Sequence, residues 1–149
     1  MKTLFLLIFL GLGGNIFVPA HAKSKPRGGQ NYYVDAQNGD DRADGKSEKT
    51  AWKSLLRTKE LQLRAGDSLL LRRNSSFNGL LEVSAEGKAG RPVVIGAYGT
   101  GRKPCIQAPD SSLYTVLVRN SDYLTLENLE VVNTGKQRMA NRTGVKVLC

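Results

Sequence analysis

Short apolar runs separated by turn residues dominate the chain from residue 66 onward. Eight runs of four to six residues are rich in Val, Ile, Leu and Tyr, and Gly, Pro, Asn and Ser lie between them. β-branched and aromatic side chains favour strands, whereas Gly, Pro and Asn favour turns. The pattern predicts strands at Ser68–Arg72, Leu80–Ser84, Pro92–Ala97, Cys105–Ala108, Thr115–Arg119, Tyr123–Leu126, Leu129–Asn133 and Val145–Leu148.

Before residue 66, the pattern of hydrophobic and polar positions predicts one strand, a polar loop and a helix. Tyr32–Val34 is β-prone and runs into a polar loop, Asp35–Thr50. Ala51–Leu63 then carries apolar residues at spacings near three and four, with Thr50 placed to cap the first turn. This spacing predicts a helix whose inner face would be formed by Trp52, Leu55, Leu56 and Leu61.

The first 22 residues predict an export signal. Lys2 supplies a positive start, Leu4–Leu12 an apolar stretch, and Ala20-His21-Ala22 a small-x-small cleavage pattern ending at Ala22. Glycines and Pro19 interrupt the apolar stretch, which argues against a membrane span. We therefore expect a secreted, periplasmic or cell-surface protein that begins with a flexible basic leader, residues 23–31.

Cleavage after Ala22 removes His21, which is the single histidine of the chain. Without an imidazole, the remaining residues cannot build histidine zinc sites, Ser-His-Asp triads or Cys-His pairs. Two cysteines remain, Cys105 and Cys149. One disulfide is arithmetically allowed, but Cys105 lies in a predicted strand and Cys149 is the last residue, at the end of another, so two buried free thiols are the favoured interpretation.

The formal net charge of +9 becomes +8 after cleavage, because Lys2 leaves and no acidic residue goes with it. A basic exported protein suits an anionic partner, with an acidic polysaccharide or the cell envelope as the available classes. A solubility charge spread over all faces is the alternative, and the sequence leaves both open. Aromatic residues are not interleaved with the basic ones, so no nucleic acid is expected as a partner.

Regular punctuation of short strands is typical of a sandwich, a barrel or a solenoid. A Val-x-Val strand at Val116–Val118 returns at Val145–Val147 after a turn-rich excursion. Such a return favours a parallel solenoid.

Six segments in a fixed order carry a further resemblance: Tyr32–Asp35, Gly39–Gly45, Ala51–Leu55, Ala65–Leu71, Pro92–Gly99 and Tyr123–Val131. In this order and spacing they resemble the N-terminal section of right-handed parallel β-helix proteins of the pectate lyase-like superfamily, including chondroitinase B-like and alginate lyase-like members. The match covers nearly all of residues 32–148.

The resemblance implies an all-β fold, a right-handed parallel β-helix with a short N-terminal capping helix. Residues 32–65 would form the cap, because the first coil of a stacked array exposes apolar side chains and strand edges that need cover. Residues 66–149 would form the first coils, incomplete at the C-terminus and able to self-associate through that open end. The same logic predicts stacked core positions at Ile95, Val118, Leu126, Val131 and Val147.

Two clusters are candidate sites. Asp40, Asp41 and Asp44 offer hard oxygen ligands for calcium within one loop, although Asp also favours turns by bonding its own backbone. Lys136, Arg138 and Arg142 follow a predicted strand and are candidate substrate-binding residues; a solvated basic loop is the alternative. Glycosidase carboxylate pairs are conceivable too, but their separation depends on the fold: Glu82, Glu86, Glu127 and Glu130.

Three functions fit these observations. The resemblance and the basic charge favour the N-terminal portion of a polysaccharide-degrading enzyme, most simply an anionic-glycan lyase. A non-catalytic carbohydrate-binding or surface-adhesion solenoid is the second, and a truncated inactive product is the third. Since the family's catalytic residues lie on later coils, none is assigned here, and we expect the chain alone to lack catalysis.

Overall fold

The computed structural model describes residues 28–135 and 139–148. These residues are mostly β, and their helical content is two short 3₁₀ segments, Glu48–Thr50 and Leu55–Glu60. The strands are β1 Asn31–Val34, β2 Gln62–Arg64, β3 Ser68–Arg72, β4 Ser76–Asn78, β5 Leu81–Glu86, β6 Val93–Tyr98, β7 Cys105–Gln107, β8 Val116–Asp122, β9 Leu124–Leu126, β10 Glu130–Val132 and β11 Val145–Leu148.

Three parallel sheets hold all eleven strands. Sheet 1 has the order β1-β3-β6-β9, sheet 2 the order β10-β7-β4, and sheet 3 the order β11-β8-β5-β2. From β2 onward the chain visits sheet 3, sheet 1 and sheet 2 in turn and then repeats that order. From β5 onward every strand pairs in parallel with the strand one circuit earlier, so each circuit lies on top of the one before it.

The core lies between the sheets and is built from stacked rows of apolar side chains. Phe77, Ile106 and Val131 hold the same position on β4, β7 and β10. Leu81 of β5 lies next to Val116 of β8, and both are fully buried. Alternate residues of a strand face opposite sides of the sheet, so the neighbours of these residues point outward. Each fully buried aliphatic side chain stabilises the fold by about 1.5–3 kcal/mol.

The helix predicted over residues 51–63 is wrong. Trp52 forms a parallel bridge with Val34, the 3₁₀ segment covers only Leu55–Glu60, and β2 begins at Gln62. Ser54 caps the segment by accepting a hydrogen bond from the backbone N–H of Leu56 at 3.3 Å. The backbone of residues 62–64 instead bonds to β5, and pairing with a sheet outweighs a weak helical periodicity.

Two of the four residues expected on the inner face of that helix are buried. Trp52 and Leu55 belong to the core cluster, and Leu61 packs partly against it. Leu56 is 68% exposed, so its predicted place is wrong. A tight 3₁₀ turn repeats every three residues, and Thr58 rather than Leu56 faces inward beside Leu55.

The eight predicted strands are confirmed, with boundary shifts of one or a few residues. The sequence missed β2 and β4, each of three residues. Ile95 and Val118 are buried as expected, and Val131 packs partly against the core. Leu126 and Val147 are 36% and 60% exposed, because β9 and β11 are the last strands of their sheets among the described residues.

No helix within residues 28–135 and 139–148 is both long and apolar enough to cross a lipid bilayer.

Candidate functional site

A row of three outward-facing polar residues crosses sheet 1 at the ends of its strands. Arg72 closes β3 and is the register partner of Tyr98, which closes β6. Asp35 follows Val34 of β1, and Val34 is the partner of Leu71. The parallel register therefore brings Asp35, Arg72 and Tyr98 side by side although they lie far apart in sequence.

Asp35 is 1% exposed and its carboxylate is bound on both oxygens. Oδ1 accepts the backbone N–H groups of Gln37 at 2.9 Å and Asn38 at 3.1 Å, and Oδ2 accepts Nη1 of Arg72 at 2.8 Å. Burial raises the pKa of Asp35, but these N–H bonds, the Asn38 amide and the charge of Arg72 together hold the pKa below its ordinary 3.8. The carboxylate fixes the start of the loop and anchors Arg72.

Tyr98 is 8% exposed, and its ring meets the edge of the Tyr33 ring with centroids 5.2 Å apart. Its hydroxyl lies beside Arg72 but makes no hydrogen bond of ordinary geometry within the described residues. Burial, followed by the Asp35 charge, raises the pKa of Tyr98 to about 12. The phenol is therefore neutral and buried without a clear partner.

A cavity of about 320 Å³ opens beside this row. Its rim is rigid, because the Asn74 amide donates to the carbonyl of Thr100 at 3.2 Å and accepts from the backbone of Arg102 at 2.8 Å. Gln37 closes another side by donating to the Asn74 carbonyl at 3.1 Å. The lining residues are Gln37, Glu48, Arg72, Arg73, Asn74, Tyr98, Gly99 and Thr100.

A shallower groove of about 270 Å³ lies on the outer face of sheet 3. Glu82 is one of its lining residues, with Lys59 Nζ 3.2 Å from Oε1 and the Arg119 guanidinium on Oε2. Both carboxylate oxygens are thus occupied by cations. A general acid must offer a proton to a leaving group, and Glu82 is not arranged for that role.

The three aspartates proposed for calcium are directed to separate local partners. Asp40 pairs with Arg42 at 2.8 Å, and this contact lowers the Asp40 pKa to about 2. Asp41 accepts two backbone N–H groups, both at 2.8 Å, and Asp44 accepts that of Lys46 at 3.1 Å. The part of the chain that the structure describes contains no group of three acidic, His or Cys side chains placed for a metal. Calcium binding here stays a prediction, and a rise of Tm with calcium would support it.

Of the three basic residues proposed for substrate binding, Lys136 and Arg138 lie outside the described residues. Arg142 is held by its own surroundings: Nη1 donates to the Asn133 amide oxygen at 3.1 Å and Nη2 to the carbonyl of Asp110 at 2.7 Å. These bonds join two loops, so Arg142 has a structural role in addition to any contact with a ligand.

Cys105 is half-buried and forms no disulfide with any described residue, and burial together with the Glu130 charge raises the pKa of its thiol. Cys149 lies outside the described residues, as does the cleavage site at Ala22. Sequence reasoning did not single out Asp35, Arg72 or Tyr98 as a site. A usable signal was the polar residue at or just after the end of β1, β3 and β6, but only the register shows that these residues meet.

Comparison with known proteins finds glycan-cleaving enzymes. The chain is 32% identical to a lacto-N-biosidase of Bifidobacterium longum, over 70% of this chain and 8% of that protein. The crystal structure of the native GH136 lacto-N-biosidase from Eubacterium ramulus matches with a TM-score of 0.64 and 35% identity, over 72% of this chain and 21% of that enzyme. Its selenomethionine derivative matches with a TM-score of 0.66. The chain thus spans less than a quarter of these relatives, and no protein-family model matches it.

The resemblance to the pectate lyase-like superfamily is therefore wrong as an assignment. The segments that carried it, such as Pro92–Gly99, are strands and turns of a parallel stack, and strand-and-turn patterns are shared by unrelated families. The similar enzymes are glycoside hydrolases of family 136 by name. The anionic-glycan lyase loses its support with that resemblance.

Proposed function

We propose that this chain forms the first coils of a secreted glycoside hydrolase that acts on glycans as the lacto-N-biosidases do. The observation that carries this proposal is 35% identity with a TM-score of 0.64 to the Eubacterium ramulus enzyme. Identity at that level over most of the chain supports a shared role in the larger molecule. The ligand would be a glycan bearing lacto-N-biose, a neutral disaccharide.

The right-handed path of the chain through the three sheets is part of the same proposal. A chain that visits three parallel sheets in one repeated order is described by a right-handed parallel β-helix, since parallel crossovers are right-handed in almost all proteins. Trp52 and Leu55 would then close its first coil. Export through cleavage after Ala22 would place the protein where extracellular glycans are available.

The net positive charge does not require an anionic substrate. Asp35, Asp40 and Glu82 each pair with an arginine, which shows that basic residues serve internal ion pairs. Other cations of the described residues, such as Lys46, Lys49, Lys88 and Lys103, are exposed, and salt screens exposed charges. An acidic polysaccharide would therefore be held by charge alone and released by salt.

Binding to immobilised glycans tests the proposal. We expect the purified protein to bind an oligosaccharide ending in lacto-N-biose equally at low and high salt, and to release alginate, pectate and chondroitin sulfate at high salt. Ultraviolet absorbance should stay flat with the three anionic polymers, since β-elimination would create an absorbing product. Salt-resistant binding of an anionic polymer, with no binding of the neutral oligosaccharide, would overturn the proposal.

A non-catalytic glycan-binding role is the second candidate, and the occupied carboxylate of Glu82 favours it for this chain. Release of lacto-N-biose from an aryl lacto-N-bioside distinguishes the two. Turnover by this chain would place a catalytic pair within it, whereas binding without turnover is expected from its first coils alone.

A further inference from the structure

The cavity beside Tyr98 has the size and the fixed rim of a small-molecule site. Its volume of about 320 Å³ lies at the lower end of the range for ligand pockets, which suits one sugar ring better than a long chain. Its rim is fixed by the amides of Gln37 and Asn74 before any ligand arrives. Such preorganisation lowers the entropy lost on binding.

The buried hydroxyl of Tyr98 is the second observation. The side chain is more than nine-tenths buried, and the hydroxyl has no hydrogen-bond partner of ordinary geometry in the described structure. A buried polar group without a partner costs about 1–3 kcal/mol. Arg72 is the register neighbour of Tyr98 and lies beside this hydroxyl, is anchored to Asp35 through Nη1, and keeps 44% of its side chain exposed. A ligand hydroxyl that moves the free part of Arg72 aside would supply the missing partner.

Charge selects the class of ligand. The cavity brings two cations, Arg72 and Arg73, together with the carboxylates of Glu48 and Asp35. Arg72 is neutralised by Asp35, and Arg73 donates to the carbonyl of Gly101 at 3.2 Å. The site therefore has hydrogen-bond donors and acceptors but no net charge. This combination suits a neutral molecule with many hydroxyl groups, whereas a uronate would need a positive charge to balance its carboxylate.

We infer that this cavity is a subsite for one pyranose ring of a neutral glycan, with Tyr98 and Arg72 as its hydrogen-bonding floor. The identity of the glycan rests on the proposed function, and the location of its binding site rests on the cavity. The inference assigns binding and not bond cleavage to Tyr98, because the carboxylate that lies nearest in the row, Asp35, is engaged on both oxygens.

Amide chemical shifts recorded during titration with lacto-N-biose test the subsite. The expected result is saturable shifts at Arg73, Asn74, Gly99 and Thr100, with no such shifts when glucuronate is the ligand. Tyr98→Phe keeps the ring and removes the hydroxyl, and should weaken binding about fivefold to tenfold while leaving Tm unchanged or higher. Tyr123→Phe is the matched control, because Tyr123 is 60% exposed and lies outside the cavity.

Thr100→Trp is a second variant, which fills the mouth of the cavity from its exposed rim and should abolish the shifts. Shifts confined to Gln62, Ser84 and Asn120 would move sugar binding to the groove on sheet 3, overturning the subsite while leaving the proposed function intact. Equal affinity of Tyr98→Phe and the unmodified protein, or equal response to glucuronate, would also overturn it. Absence of any shift with lacto-N-biose would overturn the subsite, and the immobilised-glycan experiment then decides the function separately.

Discussion

Asp35 shows how one buried side chain connects the loop, the sheet and the cavity. It accepts hydrogen bonds from two backbone N–H groups and binds Arg72, which is the register neighbour of Tyr98. A carboxylate this deeply buried is costly unless it is paired and hydrogen-bonded. Asp35 and Arg72 are therefore structural residues of the site and also set its charge.

Acid should destabilise the protein through Asp35. Its pKa in the folded protein lies below the ordinary 3.8, so the unfolded chain takes up the proton first as the pH falls. The stabilisation is fully present above that ordinary value and is lost as the pH falls through the folded pKa. We expect urea unfolding at neutral pH to show that Asp35→Asn costs about 1.5–3 kcal/mol. The difference from the unmodified protein should shrink at low pH; a constant difference would contradict this account, and exposed Glu86→Gln is the control.

Truncating a core leucine to alanine should lower the unfolding free energy far more than truncating an exposed one. Leu71→Ala removes a side chain with no exposure and should cost about 2–5 kcal/mol of unfolding free energy. Leu56→Ala changes a side chain that is 68% exposed and should stay within about 0.5 kcal/mol of the unmodified protein. Urea unfolding monitored by circular dichroism measures both. A large loss in Leu56→Ala would restore the predicted inner-face role of Leu56.

At the scale of elements, the segment before β2 is organised by Trp52 and not by a helix. Its indole nitrogen donates to the carbonyl of Ala43 at 2.9 Å, and its ring stacks on Tyr32 at 5.7 Å. Gly45 approaches this ring so closely that a Cβ would collide with it. The polar loop is thus folded around one aromatic side chain.

Two glycine substitutions test that organisation. Gly45→Ala introduces both a left-handed residue, at φ 68°, and a clash with Trp52, and should cost about 3 kcal/mol or more. Gly90→Ala has a similar φ of 74° with open space around it, so only the backbone cost of about 1–2 kcal/mol applies. Thermal unfolding should therefore rank Gly45→Ala below Gly90→Ala. Equal Tm values for the two variants would mean that the loop backbone shifts to accommodate the new Cβ without displacing Trp52.

At the scale of the whole molecule, the last strands leave one end of the stack uncovered among the described residues. Val145, Val147 and Leu148 of β11 are 43%, 60% and 43% exposed. An apolar face with unpaired strand edges favours pairing with another chain. Self-association through this end, which the sequence predicts, stays a proposal.

Light scattering after gel filtration tests it. We expect the apparent mass to rise with protein concentration, and Val147→Lys to reduce that rise by placing a charge on the face. Leu113→Lys is the control, because Leu113 is 41% exposed and lies outside these strands. A monomer at all concentrations, or equal association of both variants, would exclude this surface.

The sequence by itself determined the strands, and hence an all-β chain, because alternation of apolar and turn residues acts over a few neighbours. It also determined the parallel return of Val-x-Val, since β8 and β11 do pair in parallel. The sequence did not predict features that depend on contacts with residues distant in the chain. Residues 62–64 form a strand because they pair with β5. Leu56 points outward because the 3₁₀ turn places Thr58 on the inner face instead.

Only the tertiary structure decided the candidate site. Asp35, Arg72 and Tyr98 are separated by whole circuits of the chain, and the register of β1, β3 and β6 alone makes them neighbours. Conversely, the three aspartates that lie together in sequence are drawn to separate backbone and side-chain partners. Local patterns specify the elements because they depend on nearby residues, whereas a site depends on which distant strands share a level of the stack.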